Sequence, residues 1–218
     1  QWHTLIGGSK AYIPMLTEPY AERIHLGSEI TSVTREHDQV TLTFADGKQQ
    51  FFDDVVFACH SDQALQLLGD ATDDEKSVLG NIPYQPNEVV LHTDTSLLPQ
   101  KKRAWASWNY LLRTDEGAEQ QPSSVTYNMN VLQNFDEAPE TFCVTLNRSQ
   151  DIDPERIIKR FDYAHPVFTL EAVAAQKRYD EIGGHNRSHF CGAYWFNGFH
   201  EDGVNSALRV TQALGVEL

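Results

Sequence analysis

The residues with the most chemical character lie near the C-terminus, in the run His189 to Gly215, HFCGAYWFNGFHEDGVNSALRVTQALG. A short strand over 187–191 leads into a loop rich in aromatics and glycine, and a helix then starts near Asp202. Asp202 has the side chain of a helix cap, its carboxylate accepting a bond from a free N–H of the first turn. Val204, Ala207, Leu208, Thr211 and Leu214 recur at helical spacing, and Gly215 stops the run. A strand, a glycine-bearing loop and a helix N-terminus together offer N–H groups and a positive dipole end, which suit an electron-rich ligand. The same pattern also describes a surface loop before an amphipathic closing helix, because any capped helix offers such N–H groups. His200, at the mouth of that helix, could bond a ligand carbonyl or act as an acid or base. It reads equally well as a loop histidine bonded to backbone.

Other constellations carry less. His185, His189 and Cys191 are close in sequence, but no second pair completes a tetrahedron, so no metal is expected. His200-Glu201-Asp202 is not HExxH, and no GxSxG elbow occurs. Asp53-Asp54 and Asp73-Asp74 read as strand-entry and helix N-terminal acids. Gly7-Gly8-Ser9-Lys10 lacks the spacing of a phosphate loop. It leaves either a cap at Ser9 or two glycines that let backbone approach a cofactor.

Composition narrows the partners. The 218 residues carry 31 acids against 17 basic residues, a formal net charge of −14, which argues against nucleic acid or an anionic membrane as partner. The hydrophobic share of 40% is that of a chain with a core. Three distant cysteines, Cys59, Cys143 and Cys191, do not make a disulfide framework and fit a reducing, cytoplasmic setting. No apolar run approaches the ~20 residues of a membrane span. Gln1-Trp2-His3, followed at once by an apolar pattern, reads as a start inside a longer protein.

Several elements can position these residues. Tyr12, Leu16 and Tyr20 predict one face of a short helix. Residues 24–57 read as a three-stranded meander with turns at Asp38-Gln39 and Asp46-Gly47, followed by a fully buried strand, Val55 to Cys59, of parallel-sheet type. Helices open at His60-Ser61-Asp62 and at Thr72 to Glu75. From Ile82 onward the pattern is an antiparallel sheet, with strands near 89–93, 104–112, 125–132 and 142–146 and loop formers at Pro99, Gly117, Pro122 and Pro139. Residues 157–164 read as helix-to-strand and residues 169–179 as helix. Trp105, Trp108, Tyr110 and Tyr127, together with Trp195, are candidates to line an apolar cavity, or else are core and cross-strand pairs.

Three segments carry a resemblance: GGSKAY, IHLGSEITSVTREHDQVTLTFADGKQQFFDDVVFACHSDQALQLL and FCGAYWFNGFHEDGVNSALRVTQALG. Together with NIPYQPNEVVLHTD, RAWASWNY and FDYAHPVF, they make the chain similar to the flavin-containing amine oxidase superfamily. Its bacterial, predicted NAD/FAD-binding branch is the nearest in pattern. The resemblance implies an α/β (α+β) FAD/NAD(P)-binding-type fold with an antiparallel-sheet substrate domain inserted. Residues 1–81 and 184–218 would belong to the FAD-binding domain and 82–183 to the substrate-binding domain. The family's GxGxxG unit is absent from these 218 residues, so the chain resembles a C-terminal part of such an enzyme and FAD binding by it alone is not implied.

Site residues follow from the resemblance. Gly7 and Gly8 match the glycine pair beside the flavin, and Val33 the residue whose backbone reads the adenine. Ala58 and Cys59 match the strand end under the adenosine half, and Cys191 and Gly192 the strand end near the ribityl chain and pyrophosphate. Asp202, Gly203 and Val204 match the helix start facing the flavin pyrimidine edge. The implied activity is hydride transfer from a small organic substrate to FAD; the missing basic surface and the candidate aromatic cavity point to a substrate of apolar or lipid-like character. A ligand-binding domain without cofactor, or a self-associating one, is the alternative, and pairing with a second copy is expected either way where apolar surface is left open.

Overall fold

A computed structural model describes residues 3–112, 123–135 and 137–216; Gly117 and Pro122, expected as loop formers, lie outside the described residues. The chain forms two compact units, one built from Gln1–Ile24 and Pro86–His165, the other from His25–Gln85 and Pro166–Leu218.

In the second unit, β1 (Ile30–Arg35), β2 (Val40–Phe44) and β3 (Gln49–Phe52) form the antiparallel meander, in the order β1-β2-β3. Its second turn shows why Asp-Gly sits there. The Phe44 N–H donates to the Lys48 carbonyl at 2.9 Å, and Gly47 takes a φ of +80°, a left-handed position that glycine adopts at little cost. β4 (Val55–Phe57) then pairs in parallel with β10 (Ser188–Phe190), Phe57 opposite Phe190, and their rings stack at 5.3 Å. The expected full burial of β4 is not observed. Phe57 is buried, but Val56 is 44% exposed, because the sheet has two strands among the described residues and only one face meets the core.

Helices α2 (Ser61–Leu67), α3 (Asp73–Leu79), α5 (Leu170–Gln176) and α6 (His200–Ala213) belong to this unit. α3 starts on a reciprocal capping box: the Glu75 N–H donates to Thr72 Oγ1 at 3.2 Å, and the Thr72 N–H donates to Glu75 Oε2 at 2.8 Å. Thr72→Ala is expected to cost about 1 kcal/mol in denaturant unfolding. Val33, Phe57, Ala64, Leu79, Ile82, Ile182, Phe190 and Trp195 share one core. Beneath it lies an ion pair. The guanidinium of Arg35, at the end of β1, bonds both carboxylate oxygens of Glu75 on α3, and its Nη1 also donates to Ser188 Oγ on β10 at 3.0 Å.

The other unit is a five-stranded sheet, ordered β6-β7-β8-β5-β9. Its strands are β5 (Tyr84–His92), β6 (Trp108–Leu111), β7 (Ser124–Asn128), β8 (Cys143–Leu146) and β9 (Ile157–Pro166). β7 is shorter than expected. The Asn128 side chain accepts from the Val131 N–H at 3.3 Å and caps a helical turn, α4 (Met129–Gln133). β6 likewise covers only part of 104–112, since a 3₁₀ turn occupies Lys102–Ala104. Residues 157–166 are strand throughout and not helix-to-strand. Ile157, Lys159, Phe161 and Tyr163 alternate, and the last two rings stack at 5.7 Å. Near the N-terminus the expected single helix is broken into a 3₁₀ turn (Ser9–Tyr12), α1 (Ile13–Thr17) and a second 3₁₀ segment (Glu18–Arg23), with Pro14 and Pro19 each opening a new piece.

The two faces of this sheet invert the usual pattern. Register puts Trp108 opposite Tyr127, Tyr110 opposite Val125, Tyr127 opposite Val144 and Val144 opposite Leu91, which gathers these apolar and aromatic side chains on one face. Trp108 and Tyr110 are both 56% exposed there. The opposite face is buried and largely polar. His92 Nδ1 accepts from the Asp94 N–H, so Nε2–H donates to Thr145 Oγ1 at 2.8 Å, and Thr145 and Thr126 hydroxyls bond at 2.9 Å. Burial lowers the His92 pKa and keeps that imidazole neutral.

Candidate functional site

Two parallel strands, β4 and β10, end side by side in the second unit. The Cys191 N–H donates to the Phe57 carbonyl at 2.9 Å, carrying the ladder one residue past the strands. Beyond this point the chains part, Ala58-Cys59-His60 entering α2 and Cys191-Gly192 entering the aromatic loop. The crevice outside the carboxyl ends of parallel strands is where α/β proteins bind ligands.

The loop is held from several directions. A β-carbon on Gly192 would lie 2.4 Å from the buried Tyr194 ring, so glycine is required there by packing. The Gly192 N–H donates to Ser206 Oγ at 2.8 Å, and that hydroxyl donates to the Gly203 carbonyl at 2.7 Å. Gln176 Nε2 donates to the carbonyls of Tyr194 and Phe196, at 2.7 and 2.6 Å. The Arg209 guanidinium lies 4.3 Å from the Tyr179 ring centroid and 5.1 Å from that of Phe196.

α6 begins at His200 and not near Asp202. The Asp202 carboxylate reaches back along the chain, accepting from the Phe199 N–H at 2.9 Å and the Asn197 N–H at 3.2 Å. It therefore holds the preceding loop and does not cap a first-turn N–H, because the helix starts two residues earlier and places Asp202 in the third helical position. The buried residues of α6 are Ser206 and Val210, while Val204 is 41% exposed and Leu214 45%. Of the stripe expected through Val204, Ala207, Leu208, Thr211 and Leu214, the three middle residues are half-buried and the two end residues are exposed.

Gly203 differs from Gly192. A β-carbon there would meet nothing within 4 Å. Glycine inside a helix costs about 1 kcal/mol relative to alanine, and no packing at this position accounts for it. The first turn of α6 is open on this side among the described residues.

The thiols and phenols around the strand ends are uncharged at neutral pH. Burial pushes up the thiols of Cys59 and Cys191, the Tyr84 hydroxyl to about 12, and the Tyr194 hydroxyl well above its ordinary value. Neither thiol is activated as a nucleophile. The arrangement sets the positive dipole end of α6 beside uncharged thiols and phenols, which suits an electron-rich ligand.

Among the expected site residues, Ala58, Cys59, Cys191, Gly192, Asp202, Gly203 and Val204 all gather around these strand ends and the start of α6. Val33 is in the same unit, on β1, but is 1% exposed, and its carbonyl already accepts from the Gly69 N–H at 2.9 Å. Gly7 and Gly8 belong to the other unit, where with Leu5, Ile6, Met129 and Phe135 they line a cavity of about 710 Å³. Trp108, Tyr110 and Tyr127 share the apolar sheet face, and Trp105 donates its indole N–H to the Pro99 carbonyl at 2.7 Å. Trp195 is a core residue, 2% exposed and edge-on to Tyr179 at 4.9 Å. His200 is the exposed first residue of α6. Among the described residues, no group of three or more His, Cys, Asp or Glu side chains could hold a metal ion, and no helix is long and apolar enough to cross a membrane.

Parallel strands with helices and an antiparallel sheet unit define a mixed fold of the FAD-dependent amine oxidase-like type. Residues 5–144 match the family described as flavin containing amine oxidoreductase, and the chain belongs to that family. Among solved structures it is similar to a CLA-producing fatty acid isomerase from P. acnes, with a TM-score of 0.66 and 16% identity over 96% of this chain and 52% of the other. It is also similar to cyclohexylamine oxidase from Brevibacterium oxydans IH-35A, with a TM-score of 0.56 and 12% identity over 96% of this chain and 53% of the other. The chain therefore spans about half the length of these solved structures. No curated protein matches it.

Proposed function

We propose that the protein, in its natural length, is an FAD-dependent oxidoreductase acting on a small organic substrate of apolar or lipid-like character. The observation that carries the cofactor assignment is the open first turn of α6, at Gly203, beside two parallel strand ends in a chain of the flavin amine oxidoreductase family. Ala58, Cys59, Cys191, Gly192, Gly203 and Val204 would hold the cofactor, with the Asp202 carboxylate keeping the adjoining loop in place. When bound, FAD supplies the acceptor for a hydride. The chain's own residues orient it and present the α6 dipole to its electron-rich edge.

The substrate class rests on the five-stranded sheet. Trp108, Tyr110, Val125, Tyr127, Val144 and Leu91 line up across four strands on one face, an apolar surface that favours apolar molecules over ions. Lacking GxGxxG, these 218 residues by themselves are expected to turn over no substrate. Anaerobic mixing of the natural-length protein with a panel of substrates tests the reading. Bleaching of the flavin by unsaturated acyl chains supports it; bleaching by amines and not by acyl chains overturns the apolar assignment.

A further inference from the structure

We propose that Ser206 is a positioning residue of the flavin cradle, setting the strand end at Gly192 against the first turn of α6; this rests on the FAD reading above. Ser206 is 1% exposed, a polar side chain on the packed face of an amphipathic helix. One hydroxyl makes both connections. Its proton goes to the Gly203 carbonyl at 2.7 Å, so an oxygen lone pair is left to accept the Gly192 N–H at 2.8 Å. The orientation of the hydroxyl is therefore determined.

Its effect reaches further than one bond. A trans peptide directs its C=O and N–H to opposite sides, so holding the Gly192 N–H toward α6 turns the Cys191 carbonyl to the side away from the helix. The same hydroxyl fixes the residue whose β-carbon position is open, Gly203. Both backbone edges expected to meet the cofactor are thus referenced to a single buried atom. Removing it leaves the Gly192 N–H at a half-buried strand end without its acceptor, and the peptide must turn to find another.

FAD binding by the natural-length protein tests this in wild type, Ser206→Ala, Ser206→Thr and, as a control, Ser77→Ala. Ser77, on α3, accepts a bond from Arg178 Nη1 at 2.8 Å. Ser206→Ala is expected to weaken FAD binding about tenfold, the loss of one hydrogen bond, and to change the shape of the visible flavin band. Ser206→Thr, which keeps the hydroxyl, should restore both. Ser77→Ala should lower thermal stability and leave FAD affinity within about twofold. If alanine at 206 does not fold, Ser206→Cys, similar in volume and a poor acceptor, is expected to weaken binding in the same direction. Wild-type affinity and spectrum in Ser206→Ala or Ser206→Cys would overturn the role of Ser206 alone, as would equal weakening by Ser77→Ala. A wild-type protein that binds no FAD would overturn the cofactor assignment and this role with it.

Discussion

Glu75→Ala is expected to lower the stability of the chain by about 3–5 kcal/mol, the range for breaking a buried ion pair by removing one partner. The side chains of Arg35 and Glu75 are each 2% exposed, and the pair is a two-pronged fork. Without Glu75, the guanidinium retains Asp70, at 2.9 Å, and the Ser188 hydroxyl among the described residues. The substitution also removes one half of the Thr72 capping box. Denaturant unfolding measures the loss, read as a lower midpoint at an unchanged slope. The pH dependence has a definite sign. Burial works to raise the Glu75 pKa, but the bonds from Arg35 and the Thr72 N–H outweigh it and hold the carboxyl below its ordinary value. A depressed carboxyl contributes stability above its unfolded pKa and loses it as pH falls through the folded one. Wild type should therefore lose stability in acid faster than Glu75→Ala does.

Gly203 should give opposite signs for folding and for binding. Gly203→Ala is expected to stabilise the chain by about 0.5–1 kcal/mol, since a helical glycine is replaced where a β-carbon meets nothing within 4 Å. Gly203→Leu should fold as well as wild type yet weaken FAD binding by roughly 100-fold or more, on the order of 3 kcal/mol, because its side chain projects into the open turn. Thermal unfolding and flavin titration of the same preparations separate the two effects. A loss of stability with unchanged affinity would show that Gly203 serves packing and not a ligand.

Local signals in the sequence were the reliable ones. Asp46-Gly47 and the Thr72 to Glu75 box are short-range chemistry, and each produced the predicted turn or helix start. The apolar run at Val55 and the strand before Cys191 were readable separately, and they pair in parallel. Features that depend on tertiary neighbours were not visible. Asn128 reads as one more strand residue until its amide is seen capping α4. Arg35 is an ordinary strand-end cation until the fold brings Glu75 and Ser188 to it. Ser206 had the clearest missed signal: a serine at i+3 from Gly203 and i−4 from Val210, on the face that packs. Periodicity directed attention to the more apolar Val204 and Leu214, which remain exposed. Asp202 was legible as an end-of-loop acid, but the direction of its bonds depends on where the helix begins, a boundary that periodicity sets poorly.

In the proposed flavoenzyme, the strand ends of β4 and β10 and the first turn of α6 form one wall of the FAD site. The most direct measurement is the flavin content of the natural-length protein and of its Gly203→Leu variant, both checked for folding by circular dichroism. The expected result is one FAD per wild-type chain, released on denaturation, and a folded, colourless variant. A folded wild-type protein that neither contains nor takes up FAD would contradict it, as would a Gly203→Leu protein that retains the cofactor in full.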